Sequence, residues 1–145
     1  MTSTSNHTDR LLSPTAKPES FKRKVGTVST RATRQGVEYW SGAMNWVYFY
    51  PNKFAAVGLA LDKRAELMIV LHAETFATGK TISFTPQNSA VRFFVEDESQ
   101  EPGTGKISVS QFEVDKVLKA TFEFHFDRNG QRHEVKGRID IDLPG

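Results

Sequence analysis

Hydrophobic and polar residues alternate with period two near the end of the chain. Leu118, Ala120, Phe122, Phe124 and Phe126 interleave with Lys119, Thr121, Glu123, His125 and Asp127, and Val135, Gly137, Ile139, Ile141 and Leu143 interleave with Glu134, Lys136, Arg138, Asp140 and Asp142. Successive side chains on a strand point to opposite faces, so each run predicts a strand with one buried and one solvated face. Asn129-Gly130 lies between the runs, and both residues tolerate the positive φ that a type I′ hairpin turn requires at its centre. That turn sets the register. On the polar face Asp127 then opposes Arg132, His125 opposes Glu134, Glu123 opposes Lys136 and Lys119 opposes Asp140. On the apolar face Phe126 meets His133, Phe124 meets Val135, Ala120 meets Ile139, and Phe122 covers Gly137, supplying packing that a glycine lacks.

Upstream, short apolar segments are broken every eight to twelve residues by Gly, Asn, Asp or Pro, a spacing that predicts further antiparallel strands. They run from Val25 to Arg31, Val37 to Trp40, Trp46 to Tyr50, Phe54 to Leu61, Glu66 to His72, Thr81 to Thr85, Val91 to Glu96 and Lys106 to Val114, ahead of the terminal pair, Val117 to Asp127 and His133 to Leu143. The expected fold is all-β: an antiparallel β-sandwich or lipocalin-like barrel of about eight to ten strands. A competing helix fits Asp62 to Ala77, with Asp62 as cap and Gly79 as stop, but the apolar run Leu67 to Leu71 contains Ile69 and Val70 and reads better as a buried strand.

The chain has 145 residues, 38% of them hydrophobic and 11 of them Phe, enough for one domain with a substantial core. Charge divides it unevenly. Arg10, Lys17, Lys22, Arg23, Lys24, Arg31 and Arg34 outnumber Asp9 and Glu19 before residue 35, while the remainder is mildly acidic, although the whole carries only +2. Residues 1–24 are rich in Ser, Thr, Asn and Pro and poor in large hydrophobes, so a disordered basic leader is expected there, with a single β-domain over residues 25–145. Lys22-Arg23-Lys24 has too few charges to predict a nucleic-acid site. No apolar run is long enough for a transmembrane segment. No secretory signal pattern opens the sequence, so a cytoplasmic location is expected.

The absence of Cys excludes thiol nucleophiles, thiolate metal sites and disulfides. His125, Glu123, Glu134, Asp140 and Asp142 share the polar face of the terminal hairpin, but a catalytic carboxylate needs a cleft that shifts its pKa, and ladder pairs on an open face do not supply one. Glu96-Asp97-Glu98 with Glu101 lacks the ligand alternation and glycine of a calcium loop and reads as a solvated turn. No catalytic residue, metal ligand or cofactor is nominated. The remaining concentration of chemistry is aromatic. Trp40, Trp46, Tyr48 and Tyr50 fall within eleven residues, and Trp46, Tyr48 and Tyr50 share one face of an alternating strand while Val47 and Phe49 take the other. Such a row can stack on a small apolar ligand or a peptide, or pack against a core or a second protomer.

Gly26-x-Val28, Gly36 to Trp40, Gly79-Lys80-Thr81-Ile82, Gly103-Thr104-Gly105-Lys106-Ile107-x-Val109 and the terminal hairpin occur in an order that resembles a group of small β-rich bacterial proteins of unknown function, many of them predicted lipoproteins. The resemblance spans residues 25–143 and implies a sandwich or lipocalin-like barrel without assigning catalytic residues. This chain has no lipid-acceptor Cys. The expected role is a non-catalytic binding or protein-interaction module, meeting a protein partner or a second copy through the aromatic row or a sheet edge. A lipocalin-like small-molecule binder is the alternative, and a hydrolase stands behind both.

Overall fold

The computed structural model describes residues 22–23, 26–60 and 62–143. Ten strands follow one another: β1 (Lys22–Arg23), β2 (Gly26–Arg34), β3 (Val37–Tyr50), β4 (Lys53–Ala60), β5 (Lys63–Leu71), β6 (Thr81–Phe84), β7 (Ser89–Val95), β8 (Thr104–Glu113), β9 (Val117–Arg128) and β10 (Gln131–Asp142). All pairings are antiparallel, in the order β6-β8-β9-β10-β2-β3-β4-β5-β7, with β1 also paired to β3. The outcome is the barrel-like form of the all-β expectation. The two ends of the sheet path nearly meet, because the Gly103 amide, just ahead of β8, donates to the Val91 carbonyl of β7 at 2.7 Å.

The terminal hairpin has the expected register throughout, from Gln131 opposite Arg128 to Asp142 opposite Val117. Asn129 and Gly130 have φ of 54° and 75°, as the type I′ turn requires. A Cβ on Gly137 would collide with the Phe122 ring and with the Ser29 carbonyl oxygen of β2, so the aromatic does lie over the glycine. Some opposed charges find other partners: Glu123 Oε2 lies 3.9 Å from Lys106 on β8, and Arg132 Nε lies 3.1 Å from Glu134 on its own strand. Lys119 and Asp140 keep their expected pairing at 3.8 Å.

One open alternative is settled in favour of the expected strand, and two expectations change. The competing helix does not form: β5 occupies residues 63–71, and Asp62 takes a positive φ of 60° in the turn that precedes it. The segment after β5 is irregular and turns Phe76 into the core, where its ring lies 5.9 Å from Phe112; Phe112 in turn meets Phe49 edge-on at 6.3 Å. Val37 to Trp40 and Trp46 to Tyr50 are not two strands but the ends of one 14-residue strand, β3. Pairing also begins earlier than the expected domain start, since Lys22 and Arg23 lie opposite Val47 and Trp46. The rest of the expected leader, residues 1–21 and 24, lies outside the described residues.

Large side chains occupy the barrel interior. Trp40, Phe54, Phe93, Phe122, Phe124 and Phe126 face it and are buried, with Phe122, Phe124 and Phe126 at successive centroid distances of 6.2 and 6.4 Å. Burying an aromatic side chain of this size contributes about 1.5–3 kcal/mol relative to leaving it in water, and the dispersed phenylalanines of the sequence converge here.

Candidate functional site

The aromatic row is set by a bulge. β3 pairs Met44 with Gly58 of β4 but Trp46 with Val57, so Asn45 is an extra residue and the facing of the strand changes parity across it. Before the bulge Trp40 and Met44 face inward; after it Val47 and Phe49 do. Trp46, Tyr48 and Tyr50 therefore share the outer face, as the alternation predicts, but Trp40 does not join them. Trp40 is a core residue, edge-on to Phe93 at 5.9 Å, with its indole N–H donating to the Lys63 carbonyl at 3.2 Å. Its membership of the candidate site is corrected for that reason.

The outward residues of β3, β4, β5 and β7 line up in cross-strand rows. One runs Tyr48, Ala55, Met68, Arg92, and the next runs Trp46, Val57, Glu66, Phe94. Tyr48, Ala55 and Val57 form an apolar cluster of their own, flanked by Trp46 and Met68 and separate from the interior core. Tyr48 and Tyr50 meet edge to face at 5.6 Å, and Lys53 Nζ lies 5.8 Å from the Tyr48 ring centre. Tyr50 is 44% exposed, whereas Tyr48 is buried, and burial pushes the Tyr48 hydroxyl up to about 12, with Tyr50 adding to the shift. Glu66, also buried, places Oε2 3.3 Å from Arg64 Nη2.

A second constellation lies at the end of the barrel that carries the Gln35-Gly36 and Asn129-Gly130 turns. β2 pairs Ala32 with Trp40 but Thr33 with Glu38, which makes Tyr39 an extra residue. The bulge turns Tyr39 toward β10, where its hydroxyl and His133 Nδ1 share a hydrogen bond of 2.9 Å. His133 stacks on Phe126 at 4.8 Å, and the Arg128 guanidinium lies 4.8 Å from the same ring. Arg128, only 7% exposed, reaches across to the loop between β7 and β8, donating to Glu98 Oε1 at 2.9 Å, to the Ser99 carbonyl at 2.6 Å and to the Phe93 carbonyl at 3.3 Å. Burial lowers the His133 pKa, and the Arg128 charge lowers it further. Tyr39 is pushed up to about 12, again chiefly by burial, with Glu98 assisting.

This cluster was missed from the sequence, yet it left a signal: Arg128 continues the even-numbered series Leu118 to Phe126 and so falls on the apolar face of β9. A charge in that register must have a partner, and the partner comes from the acidic turn. Glu98 is therefore a clamp for Arg128 as well as a turn residue, and Glu96 Oε2 accepts the Arg64 amide at 2.6 Å. The clamp ties the β7–β8 loop to the barrel end, and the guanidinium's bonds to fixed carbonyls suit it to holding backbone.

The outer face of β8, β9 and β10 differs again. It forms an open groove of about 450 Å³ bordered by Lys106, Glu123, His125, Arg132, Glu134 and Lys136. Among the described residues no three His, Cys, Asp or Glu side chains are grouped to hold a metal ion. No family model, curated protein or solved structure matches this chain. The reading of its sites therefore rests on their geometry. The outer face of β3 and β4 carries the aromatic and apolar cluster with Glu66 and Arg92 in the same rows, that of β8, β9 and β10 carries paired charges, and the buried Tyr39-His133-Arg128-Glu98 cluster joins a loop to the wall.

Proposed function

We propose that this chain is a non-catalytic β-barrel module that engages a protein partner through the outer face of β3, β4 and β5. The observation that carries the reading is the row of Trp46, Tyr48 and Tyr50 on that face, beside Ala55, Val57 and Met68, while the outer face of β8, β9 and β10 carries paired charges. Tyrosine and tryptophan supply large rigid contact area at low entropic cost and retain a polar atom for orientation, which is why they anchor interfaces. The partner is expected to present apolar or aromatic side chains to Tyr50 and acidic groups to Lys53.

Packing favours this reading over the lipocalin-like alternative. A small-molecule site of that type needs an apolar cavity of a few hundred Å³ within the barrel, and Trp40, Phe93, Phe124 and Phe126 stand in that space. Hydrolysis lacks support as well, because Arg128 engages carbonyls and a carboxylate within the fold. The test is affinity capture by the full chain and by Tyr50→Asp, with matched circular dichroism spectra. A partner held by the first and lost by the second is expected, whereas equal retention overturns the assignment. Stoichiometric uptake of a fatty acid or retinoid would favour the lipocalin-like reading.

A further inference from the structure

The sheet path ends at β7, and a side chain helps to close the barrel there. Carbonyls two residues apart on a strand point to the same edge. On β7 the Val91 and Phe93 carbonyls face the seam and are taken by unlike donors, the first by the Gly103 amide at 2.7 Å and the second by Arg128 Nη2 at 3.3 Å. Arg128 thus does with its guanidinium what a neighbouring strand does with its backbone. The same group holds the β7–β8 loop through Glu98 Oε1 and the Ser99 carbonyl, and Glu98 Oε1 also accepts the Val95 amide at 3.2 Å. Arg128 Nε is buried without an acceptor among the described residues, so the closed arrangement keeps an unsatisfied donor that opening to water relieves.

His133 and Arg128 both pack on the Phe126 ring, each 4.8 Å from its centre. The charged and titratable groups around the imidazole come from every neighbouring element: Tyr39 of β3, bonded to Nδ1 at 2.9 Å; Arg34 of β2, opposite His133 in register; Arg128 and Asp127 of β9; and Glu98 of the loop. Arg132 and Glu134, on either side of His133 in the chain, pair with each other at 3.1 Å on the outer face. A proton on the imidazole therefore joins two guanidinium cations. Glu98, the chief balancing charge, is already engaged by Arg128, and Asp127 is exposed on the polar face.

We propose that His133 and Arg128 form an acid-operated latch: protonation of the imidazole repels the guanidinium, and Arg128 releases the β7 edge and the β7–β8 loop while the strands remain paired. Burial and the Arg128 charge hold His133 below its ordinary 6.5, so the closed latch selects the neutral ring and, by linkage, the proton selects the open one. Low-dielectric surroundings strengthen the repulsion between the two cations relative to an open face. The strands stay out of the change because β10 is paired with β9 and β2 through its backbone. The latch does not depend on the reading of the aromatic face as a partner site.

Amide hydrogen exchange of the full chain, followed by NMR from about pH 8 downward and corrected for intrinsic rates, tests the latch. The Val95 and Gly103 amides report on the loop, and those of Val135 and Ile139 in β10 report on the wall. Protection of Val95 and Gly103 is expected to fall about tenfold per pH unit below the His133 midpoint, read from its ring resonance in the same sample, while Val135 and Ile139 keep theirs. In His133→Phe, which keeps a ring stacked on Phe126, that fall should vanish. Loss of protection at loop and wall together, an unchanged loop as the imidazole titrates, a loop transition displaced from the imidazole midpoint, or an undiminished transition in His133→Phe would overturn the latch. Should the variant fail to fold, coincidence of the two midpoints in the parent chain decides.

Discussion

Phe122 lies over Gly137 so closely that the glycine has no room for a side chain: a Cβ there would meet the ring on one side and the Ser29 carbonyl oxygen on the other. The aromatic thus packs onto the backbone of β10 where β9, β10 and β2 run side by side. Gly137→Ala is expected to destabilise the barrel by about 1–3 kcal/mol, the usual range for forcing an extra methyl into a packed site. Chemical denaturation should show a lower midpoint with an unchanged slope. Phe122→Leu should recover part of the loss in the double variant, though not all, because the Ser29 carbonyl remains.

The same hairpin shows why register was legible from the sequence. Asn129-Gly130 and the two alternating runs are local features, and each constrains the pairing without reference to the rest of the fold. Trp40 was not legible in the same way. Its facing depends on the extra residue Asn45, and that bulge sits where β3 turns past β4, with Gly58 so close to Met44 and the Ala43 carbonyl that a Cβ would collide. Nothing in the residues from Trp40 to Trp46 marks the change of parity.

Arg128 provides a second stability prediction. Its guanidinium holds Glu98 and the carbonyls of Ser99 and Phe93, and truncation leaves those groups facing a buried space. Arg128→Ala is expected to cost about 3 kcal/mol, within the range for removing one partner of a buried charged network. Limited proteolysis should then cut the loop between β7 and β8 before the strands. If the loop resists cleavage as well as it does in the parent, Arg128 is not its clamp.

The pH dependence follows from His133. Burial depresses its pKa below the ordinary 6.5, so the unfolded chain binds a proton in a range where the folded imidazole remains neutral. Stability is therefore full above about pH 6.5 and declines as the pH falls toward the folded-state value, by at most about 1.4 kcal/mol per pH unit for one proton. His133→Phe, which preserves stacking on Phe126, should flatten that part of the curve. An unaltered acid limb would assign the loss to other groups.

At alkaline pH the two buried tyrosines reverse the sign. Tyr39 and Tyr48 are each raised to about 12, so the unfolded chain loses their protons first and stability should fall as pH rises from about 10 toward 12. The two sites can be separated by substitution. Tyr39→Phe removes one alkaline contribution along with the hydrogen bond to His133, and it should also shift the acid limb, because the bond ties the two groups together at 2.9 Å. Tyr48→Phe lies on the outer face away from His133 and should leave the acid limb in place. Ultraviolet titration of phenolate formation, followed alongside unfolding, checks both. Should Tyr48 ionise near pH 10 in the folded chain, burial does not govern its hydroxyl.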